Sequence, residues 1–273
     1  MDFYSTARTR LIPIDRGERR ELFGGRIECG PNPENILITI SVVLSIWIIY
    51  LVYAFKYYAD IYIDIAFSFL IRFASISLIL ATSLIEPGII DKDQDIEEYM
   101  ETSAPVKIVH IHLKPVVTVW CASCRIYKPP RSKHCRHCDL CIKRFDHHCP
   151  WVSNCIGYNN YKVFIILCMI TYLDGILHLN SILKIFTILN KEKTLSNILF
   201  DHAFIIIPLF SHIFQIITFG AYLGYSMYLI SKNKTINEDF TRMLDDCNPY
   251  DNGFFRNWME FIQLPLIPQN RHV

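Results

Sequence analysis

The sequence lacks an excess of charge of either sign. Its 273 residues hold 27 Lys and Arg against 26 Asp and Glu, which gives a formal net charge of +1. A nucleic-acid-binding protein usually carries a strongly basic domain, so the composition gives no support to that class. An apolar run is also missing from the first 35 residues, which are polar and charged. We therefore expect no cleavable signal peptide.

Charge is nearly absent from four long apolar stretches. Residues 36–55 contain no Asp, Glu, Lys or Arg, and a run of about 20 such residues can cross a hydrocarbon core about 30 Å thick. Similar runs occupy residues 63–83, 161–183 and 200–230. Buried helices of a large soluble core are the alternative, and it has force only for the third run. We predict an all-α polytopic membrane protein with four transmembrane helices.

Lys and Arg residues set the expected orientation of these helices. Six lie in the first 35 residues, ten between residues 84 and 160 and five after residue 230, whereas the two short connections hold one and three. Since positive residues stay on the cytosolic side, both tails and the long central segment should be cytosolic. The expected domains are a cytosolic tail (1–35), helices 1 and 2 (36–83), a cytosolic cysteine-rich domain (84–160), helices 3 and 4 (161–230) and a cytosolic carboxy-terminal segment (231–273).

Seven of the ten cysteines fall between Cys121 and Cys155, with the spacing C-x2-C-x9-H-C-x2-C-x2-C-x4-D-H-H-C-x5-C. In the reducing cytosol such clustering indicates metal binding or catalysis rather than disulfides. Each C-x2-C pair can offer two thiolates to one zinc ion, so two ions are expected, with short hairpins and loops around them. An oxidisable, disordered thiol patch is the alternative. Two ions need eight ligands, and at least three groups are left over from the seven cysteines and His134, His137, His147 and His148.

One left-over cysteine can be reactive. A productive thiol needs a base beside it and a third group that orients the base. Asp146, His147 and Cys149 supply acid, base and nucleophile within four residues, in the roles of an oriented triad. The alternative is that Cys149 is another zinc ligand, and spacing alone does not decide between the two.

The stretch DHHCPW (146–151), followed by CIGYNNYKVF (155–164), resembles the cysteine-rich domain of the DHHC protein S-acyltransferases, or palmitoyltransferases. The resemblance covers nearly the whole chain. It implies a four-span endomembrane protein of the endoplasmic reticulum or Golgi, with the zinc-binding domain on the cytosolic side between spans two and three. It also implies that Cys149 is the acylated nucleophile, His147 its base and Asp146 the group that orients His147. By the same resemblance two zinc sites flank them: Cys121, Cys124, His134 and Cys141 in one, and Cys135, Cys138, His148 and Cys155 in the other.

Three smaller motifs resemble those of the family, with departures in two of them. Glu86 stands in TSLIEPG where the family has Asp, and Ile236 stands in KTINE where it has a second Thr. Asn257, in NPYDNGFFRNWMEF, corresponds to an asparagine that braces the active-site domain against the membrane helices. The substitutions put the local contacts in doubt. LFGGRIECGPNPENILI (22–38) and IYKPPRSKHC (126–135) most resemble the branch that modifies Ras-type proteins together with a small accessory subunit.

The implied reaction is a two-step transfer of a fatty acyl group from acyl-CoA, such as palmitoyl-CoA, through Cys149 to cysteines of membrane-associated proteins. A dozen methylenes at ~0.8 kcal/mol each prefer an apolar site by on the order of 10 kcal/mol. We therefore expect Cys149 at the membrane face and the acyl tail among the helices. Lys128, Arg131 and Lys133 are predicted contacts for the CoA phosphates; solvated charges or contacts with lipid headgroups are the alternative.

Two charged residues lie inside the predicted spans, where such residues usually pair or mark function. At ~1.5 Å per residue, Arg72 and Asp174 reach similar depths from opposite faces, so we predict an ion pair between helices 2 and 3. Asp174 facing a polar cavity alone is the alternative. The pair would close the deep end of the acyl cavity and limit chain length.

Three functions of different classes are compatible with these patterns. They are an acyltransferase, a zinc-stapled membrane adaptor with an inert Cys149, and a metal transporter. The transporter is disfavoured because the predicted ligands lie outside the spans. The intact set of Asp146, His147 and Cys149 favours the acyltransferase, since an adaptor does not need all three.

Overall fold

The computed structural model describes residues 17–22, 27–57, 62–111, 113–192, 197, 202–242, 244 and 248–266. The first 16 residues of the predicted amino-terminal tail and the last seven of the carboxy-terminal segment lie outside the described residues. The helices are α1 (Glu34–Tyr57), α2 (Tyr62–Leu84), α3 (Ile96–Thr102), α4 (Tyr161–Glu192), α5 (Ile206–Ser231), α6 (Ile236–Phe240) and α7 (Phe254–Gln263).

Four helices within the described ranges, α1, α2, α4 and α5, are long and apolar enough to cross a membrane. They correspond to the four predicted runs. The helix α4 continues nine residues beyond the predicted end at 183, and a short 3₁₀ turn, Ala203–Ile205, precedes α5. Large apolar side chains such as Val52, Phe73 and Phe214 point outward on these helices. Such a surface suits a lipid surround and not water.

The predicted class, all-α, holds only for the membrane helices. Ten short strands in the described part of the chain form small antiparallel sheets. Eight of them lie between residues 89 and 156, where the cysteine-rich region folds as a series of hairpins, and the other two, within residues 20–29, pair with each other. The strands are β1 (Arg20–Leu22), β2 (Ile27–Cys29), β3 (Ile89–Ile90), β4 (Val106–Ile111), β5 (Lys114–Cys121), β6 (Ile126–Tyr127), β7 (Lys133–Cys135), β8 (Leu140–Ile142), β9 (His147–Cys149) and β10 (Asn154–Ile156).

The helix α4 is central and packs against α1, α2 and α5. Glycines allow close approach between α4 and α5: a Cβ added at Gly175 would lie 3.0 Å from Ile216, and one at Gly220 would lie 3.1 Å from Tyr172. Small residues at such crossings are a common feature of membrane helix pairs.

The predicted ion pair between Arg72 and Asp174 is confirmed. Nη2 of Arg72 lies 3.1 Å from Oδ2 of Asp174, and both side chains are buried. Asp174 is also contacted by Nδ1 of His178 at 3.1 Å and accepts a hydrogen bond from Nε2 of Gln215 at 3.1 Å. The pair thus belongs to a polar network in the middle of an otherwise apolar bundle.

Asn154 attaches the cysteine-rich region to the end of α2. Its side-chain amide donates to the carbonyl oxygens of Thr82, Ser83 and Ile85 at 2.9–3.1 Å. The last carbonyls of a helix have no partner within the helix, so the two N–H groups of this buried amide are shared between two carbonyls of the last turn of α2 and that of Ile85 just beyond it. Asn160, immediately before α4, also donates to the carbonyl of Thr82. Together these two asparagines fix the region between α2 and α4 at the ends of the helices.

Candidate active site

The first predicted ligand set comes together across β5, β7 and β8. The sulfurs of Cys121, Cys124 and Cys141 lie 3.6, 3.3 and 3.9 Å from Nδ1 of His134. His134 and Cys141 are opposite each other in the β7–β8 ladder, while the C-x2-C turn after β5 supplies the other two thiols. The four ligand atoms lie within 4.8 Å of one another.

The second predicted set forms in the same way around β9 and β10. Nδ1 of His148 lies 3.7, 3.5 and 3.6 Å from the sulfurs of Cys135, Cys138 and Cys155, and His148 is opposite Cys155 in the ladder. Its four ligand atoms also lie within 4.8 Å of one another. Strand alternation explains how neighbouring residues reach different sets: His134 and Cys135, adjacent in β7, point to opposite faces.

Both sets fit zinc. Three thiolates and one imidazole are a common tetrahedral donor set for structural zinc, and each set could hold one ion. The other ring nitrogen of His134, Nε2, lies 3.5 Å from a carboxylate oxygen of Asp139. A histidine that ligates zinc usually directs its second nitrogen at such an acceptor.

The strand β9 separates Cys149 from the residues that could hold the metal ions. His147 and Cys149 are two residues apart and therefore share one face of the strand, whereas His148 faces the second cluster. Cys149 is outside both four-residue sets. It is buried in an apolar cluster with residues of α4 and α5, including Phe164, Cys168 and Leu223.

His147 is held by a buried carboxylate. Its Nδ1 lies 2.8 Å from Oδ2 of Asp146, which is 1% exposed. Burial acts to lower the pKa of the His147 imidazole, but hydrogen bonds to Asp146 and Cys149 raise it to about 9. An imidazole with a raised pKa holds a proton firmly, so this geometry suits transfer of the thiol proton to His147.

The second oxygen of the Asp146 carboxylate accepts a hydrogen bond from the backbone nitrogen of Ile236 at 2.9 Å. This contact uses the main chain, so replacement of a threonine by Ile236 does not remove it. Thr235 and Glu238 form a capping box at the start of α6, in which each side chain accepts a hydrogen bond from the other residue's backbone nitrogen. The backbone N–H of Ile236 is left to point outward, toward Asp146. Short helix α6 thereby fixes the orientation of Asp146.

The other two motif residues also have partners. The Glu86 carboxylate accepts from the backbone nitrogens of Gly88 and Ile89 and from the amide of Asn159, so the longer acid still closes the turn after α2. The Asn257 side chain donates to the carbonyl of Ser231 at 2.7 Å. That contact joins α7 to the end of α5.

Two of the three predicted phosphate contacts are engaged within the chain. The Arg131 guanidinium forms a bidentate pair with Glu238, at 2.7 and 2.8 Å, and donates to Oδ1 of Asn233 at 2.9 Å. Lys133 donates to the side chain of Asn237. Lys128 is half-buried and lines a groove of about 310 Å³ together with Arg131 and Glu238. No local sequence pattern predicts the pair between Arg131 and Glu238, because the two residues are 107 positions apart.

The family model of the DHHC palmitoyltransferases matches residues 116–243. The chain is 32% identical over 182 residues to palmitoyltransferase ZDHHC8B of Danio rerio, covering 66% of this chain and 23% of that protein. It is 28% identical over 280 residues to palmitoyltransferase ZDHHC18-A of Danio rerio, covering 92% and 59%. With probable protein S-acyltransferase 2 of Arabidopsis thaliana it shares 27% identity over 291 residues, covering 94% and 68%. The chain thus spans about a quarter to three fifths of the length of the two Danio rerio relatives.

Proposed function

Because the chain contains a domain of the DHHC palmitoyltransferase family, we propose that it is a protein S-acyltransferase whose nucleophile is Cys149. The observation that carries the proposal is the arrangement around β9. Cys149 is left out of both ligand sets and shares a strand face with His147, whose Nδ1 lies 2.8 Å from the Asp146 carboxylate. This is the pattern of a nucleophile, its base and the group that orients the base.

The reaction proceeds in two thioester exchanges. The Cys149 thiol gives its proton to His147, and the thiolate attacks the carbonyl of acyl-CoA. The bond between the carbonyl carbon and the CoA sulfur breaks, and the CoA thiolate leaves with a proton from His147. In the second exchange the thiol of a protein substrate loses its proton to His147 and its thiolate attacks the acyl carbonyl. The bond between that carbon and the Cys149 sulfur breaks, and the Cys149 thiolate takes the proton back from His147. Each step exchanges one thioester for another, so no ATP is required.

The two zinc ions are structural in this proposal. Their ligands are Cys121, Cys124, His134 and Cys141 in one site and Cys135, Cys138, His148 and Cys155 in the other. The region between them consists of short strands whose own core is too small to be stable without such staples. When bound, the ions hold the hairpins that orient β9, and none of the reacting atoms is a ligand.

The membrane arrangement follows from the four apolar helices and the distribution of Lys and Arg. Both tails and the domain over residues 84–160 are cytosolic, in a membrane of the endoplasmic reticulum or Golgi. The position of Cys149 supports this arrangement, since Cys149 is opposite Asn154 in the β9–β10 ladder and Asn154 joins the cysteine-rich region to the end of α2. The acyl tail then enters the bundle along Phe164, Cys168 and Leu223, which share a cluster with Cys149.

The cytosolic groups of acyl-CoA meet Lys128, Arg131 and Lys133. Lys128 lies beside the groove and is the freest of the three to move toward a phosphate. Arg131 contributes its positive charge while it stays paired with Glu238. At the deep end of the bundle, the pair of Arg72 and Asp174 sets the preferred acyl length. Counting ~1.5 Å per residue, Asp174 lies roughly 15 Å along α4 from Phe164, so longer chains must bend or displace the network.

The protein substrates carry a cysteine near the membrane surface. Ras-type proteins and a small accessory subunit are proposed partners, on the resemblance of residues 22–38 and 126–135 to that branch. Many substrates need a second lipid for stable anchoring, because a single chain binds only marginally.

Self-acylation tests the proposal. Purified protein is incubated with alkyne-labelled palmitoyl-CoA, and the label is measured before and after hydroxylamine. We expect a hydroxylamine-labile label on wild-type protein that is lost in Cys149→Ser and kept in Cys29→Ser, a matched change of a buried cysteine outside both ligand sets. If folded, zinc-loaded protein takes no label with or without candidate accessory subunits, the protein is a zinc-stapled adaptor and not an acyltransferase.

A further inference from the structure

Arg19 is a buried cation that the proposed reaction does not use. It is 8% exposed, and arginine is rarely buried without a charged partner. Its Nη1 donates to Oδ1 of Asn154 at 3.0 Å, but Nε is 3.8 Å from the nearest oxygen of Glu28, too far for a hydrogen bond. Among the described residues, neither Nε nor Nη2 has a hydrogen-bond partner.

The chain around Arg19 lies directly on the second ligand set. The backbone nitrogen of Glu18 donates to the carbonyl of Cys138 at 3.0 Å. Gly17 approaches the same carbonyl so closely that an added Cβ would lie 2.2 Å from it, and its φ of +58° suits glycine. Burial lowers the pKa of the Arg19 guanidinium, and the charges of Cys138, Glu86 and Cys155 act in the opposite direction.

A zinc ion held by three thiolates and a neutral imidazole carries a net charge of about −1. A buried anionic centre is costly unless a cation or hydrogen-bond donors offset its charge. Arg19 offers the cation, since a guanidinium stays protonated, and two of its nitrogens, Nε and Nη2, have no hydrogen-bond partner within the described part of the chain. Asn154, which Arg19 contacts, is next to the ligand Cys155 in β10.

We propose that Arg19 is the outer-sphere cation of the second zinc–thiolate site, held beside it by Asn154 and by the contact of Glu18 with Cys138, where its positive charge offsets the charge of the site. The inference rests on the proposed zinc occupancy. It makes Arg19 a positioning residue, since through Asn154 and the second site it fixes the strand pair β9–β10 that presents Cys149. A thiolate whose negative charge is offset by a nearby cation is a weaker nucleophile toward external reagents.

The first ligand set provides an internal comparison. Its outer partner is Asp139, which contacts Nε2 of His134 and is itself paired with Lys92 at 3.0 Å. Arg19 has no contact with this set among those described. A loss of Arg19 should therefore affect the two sites unequally, whereas a general loss of stability would expose both.

The test measures the two sites separately in full-length protein. Wild type, Arg19→Met, Arg19→Lys and the control Arg20→Met, at an exposed neighbouring position, are purified and their zinc content is determined. Each is then treated with N-ethylmaleimide and a zinc chelator, and the labelling rate of every cysteine is followed by mass spectrometry. In Arg19→Met we expect zinc loss and labelling at Cys138 and Cys155 to rise about tenfold or more, with Cys121 and Cys124 unchanged. Arg19→Lys should give a smaller rise, and Arg20→Met none.

Equal acceleration at both sites in Arg19→Met, or no acceleration at either, would overturn the inference. If Arg19→Met does not fold, Arg19→Lys decides. Lysine keeps the positive charge but lacks the planar guanidinium group. The Arg19→Lys protein should therefore hold both zinc ions, yet its cysteines should be labelled faster at the second site than at the first. Equal rates in that variant would also overturn it. Wild-type protein without zinc would refute the zinc proposal itself, a result distinct from zinc-loaded protein with symmetric labelling.

Discussion

Removing either partner of the ion pair between Arg72 and Asp174 should destabilise the protein, and by unequal amounts. The two side chains are 5% and 1% exposed, and removal of one partner from a buried pair costs about 3–5 kcal/mol. In Arg72→Met the Asp174 carboxylate keeps the contacts from His178 and Gln215. In Asp174→Leu the one contact left to the guanidinium among the described residues is the Trp47 ring, 5.9 Å away. We therefore expect Asp174→Leu to be the more damaging change.

The double variant Arg72→Met with Asp174→Leu should cost less than the two single changes added together. The excess, or coupling free energy, should be about 2 kcal/mol, within the range of groups in direct contact. A charge swap is a weaker test of the same pair. An arginine at position 174 would face donors from His178 and Gln215 and could not use them.

The measurement is the fraction of detergent-purified protein that stays monodisperse after a series of heating steps, followed by size exclusion. Self-acylation with acyl-CoA of increasing length is measured on the same four samples. Additive single effects, in which the double variant loses as much stability as the two single changes together, would refute the coupling. Unchanged acyl-length preference in all variants would refute the role of the pair in chain length and leave the coupling intact.

Three further predictions concern the active site. Asp146→Asn should lower self-acylation by roughly 10²–10⁴-fold with zinc content unchanged, and a parallel loss of zinc would contradict a role in orienting His147. Chelation of zinc should abolish the Cys149 label and unfold the hairpins, measured by circular dichroism, because such sites fold with their metal; a label that survives complete chelation would count against structural zinc. Glu238→Gln should weaken the bidentate pair with Arg131 and slow self-acylation more than the exposed control Glu98→Gln does, in a time course of labelling at saturating acyl-CoA. Equal rates would show that α6 does not orient Asp146.

Hydropathy alone predicted the four membrane helices, because only helices and closed barrels span a lipid bilayer. An uncharged run of about 20 residues is typical of such a spanning helix. The depth count along two such runs also predicted the contact of Arg72 with Asp174, which the structure confirms. The end of α4 was less predictable. Its last nine residues, which include Lys184 and Lys191, lie past the strongly apolar part and form helix all the same.

The spacing of the cysteines predicted that they would form two clusters, but it did not predict the individual strands around them. Many have only two or three residues, too few for an alternating pattern to stand out. Long-range polar contacts were missed for another reason. Arg19 with Asn154 and Arg131 with Glu238 join residues 135 and 107 positions apart, and no local pattern reports such a pair.

The order of the ligands along the chain affects how the domain is made. Cys135 and Cys138, which belong to the second set, precede Cys141, the last member of the first. The two sets are therefore interlocked, and a ribosome that has released only one of them exposes unpaired thiols of the other. Because neither ligand set occupies a stretch of chain of its own, neither zinc site can be inherited, deleted or transplanted as a unit. Cys149 gains its fixed position only after Cys155 has emerged, and its surroundings are completed later still, when α5 adds Leu223 and α6 adds the backbone N–H that binds Asp146.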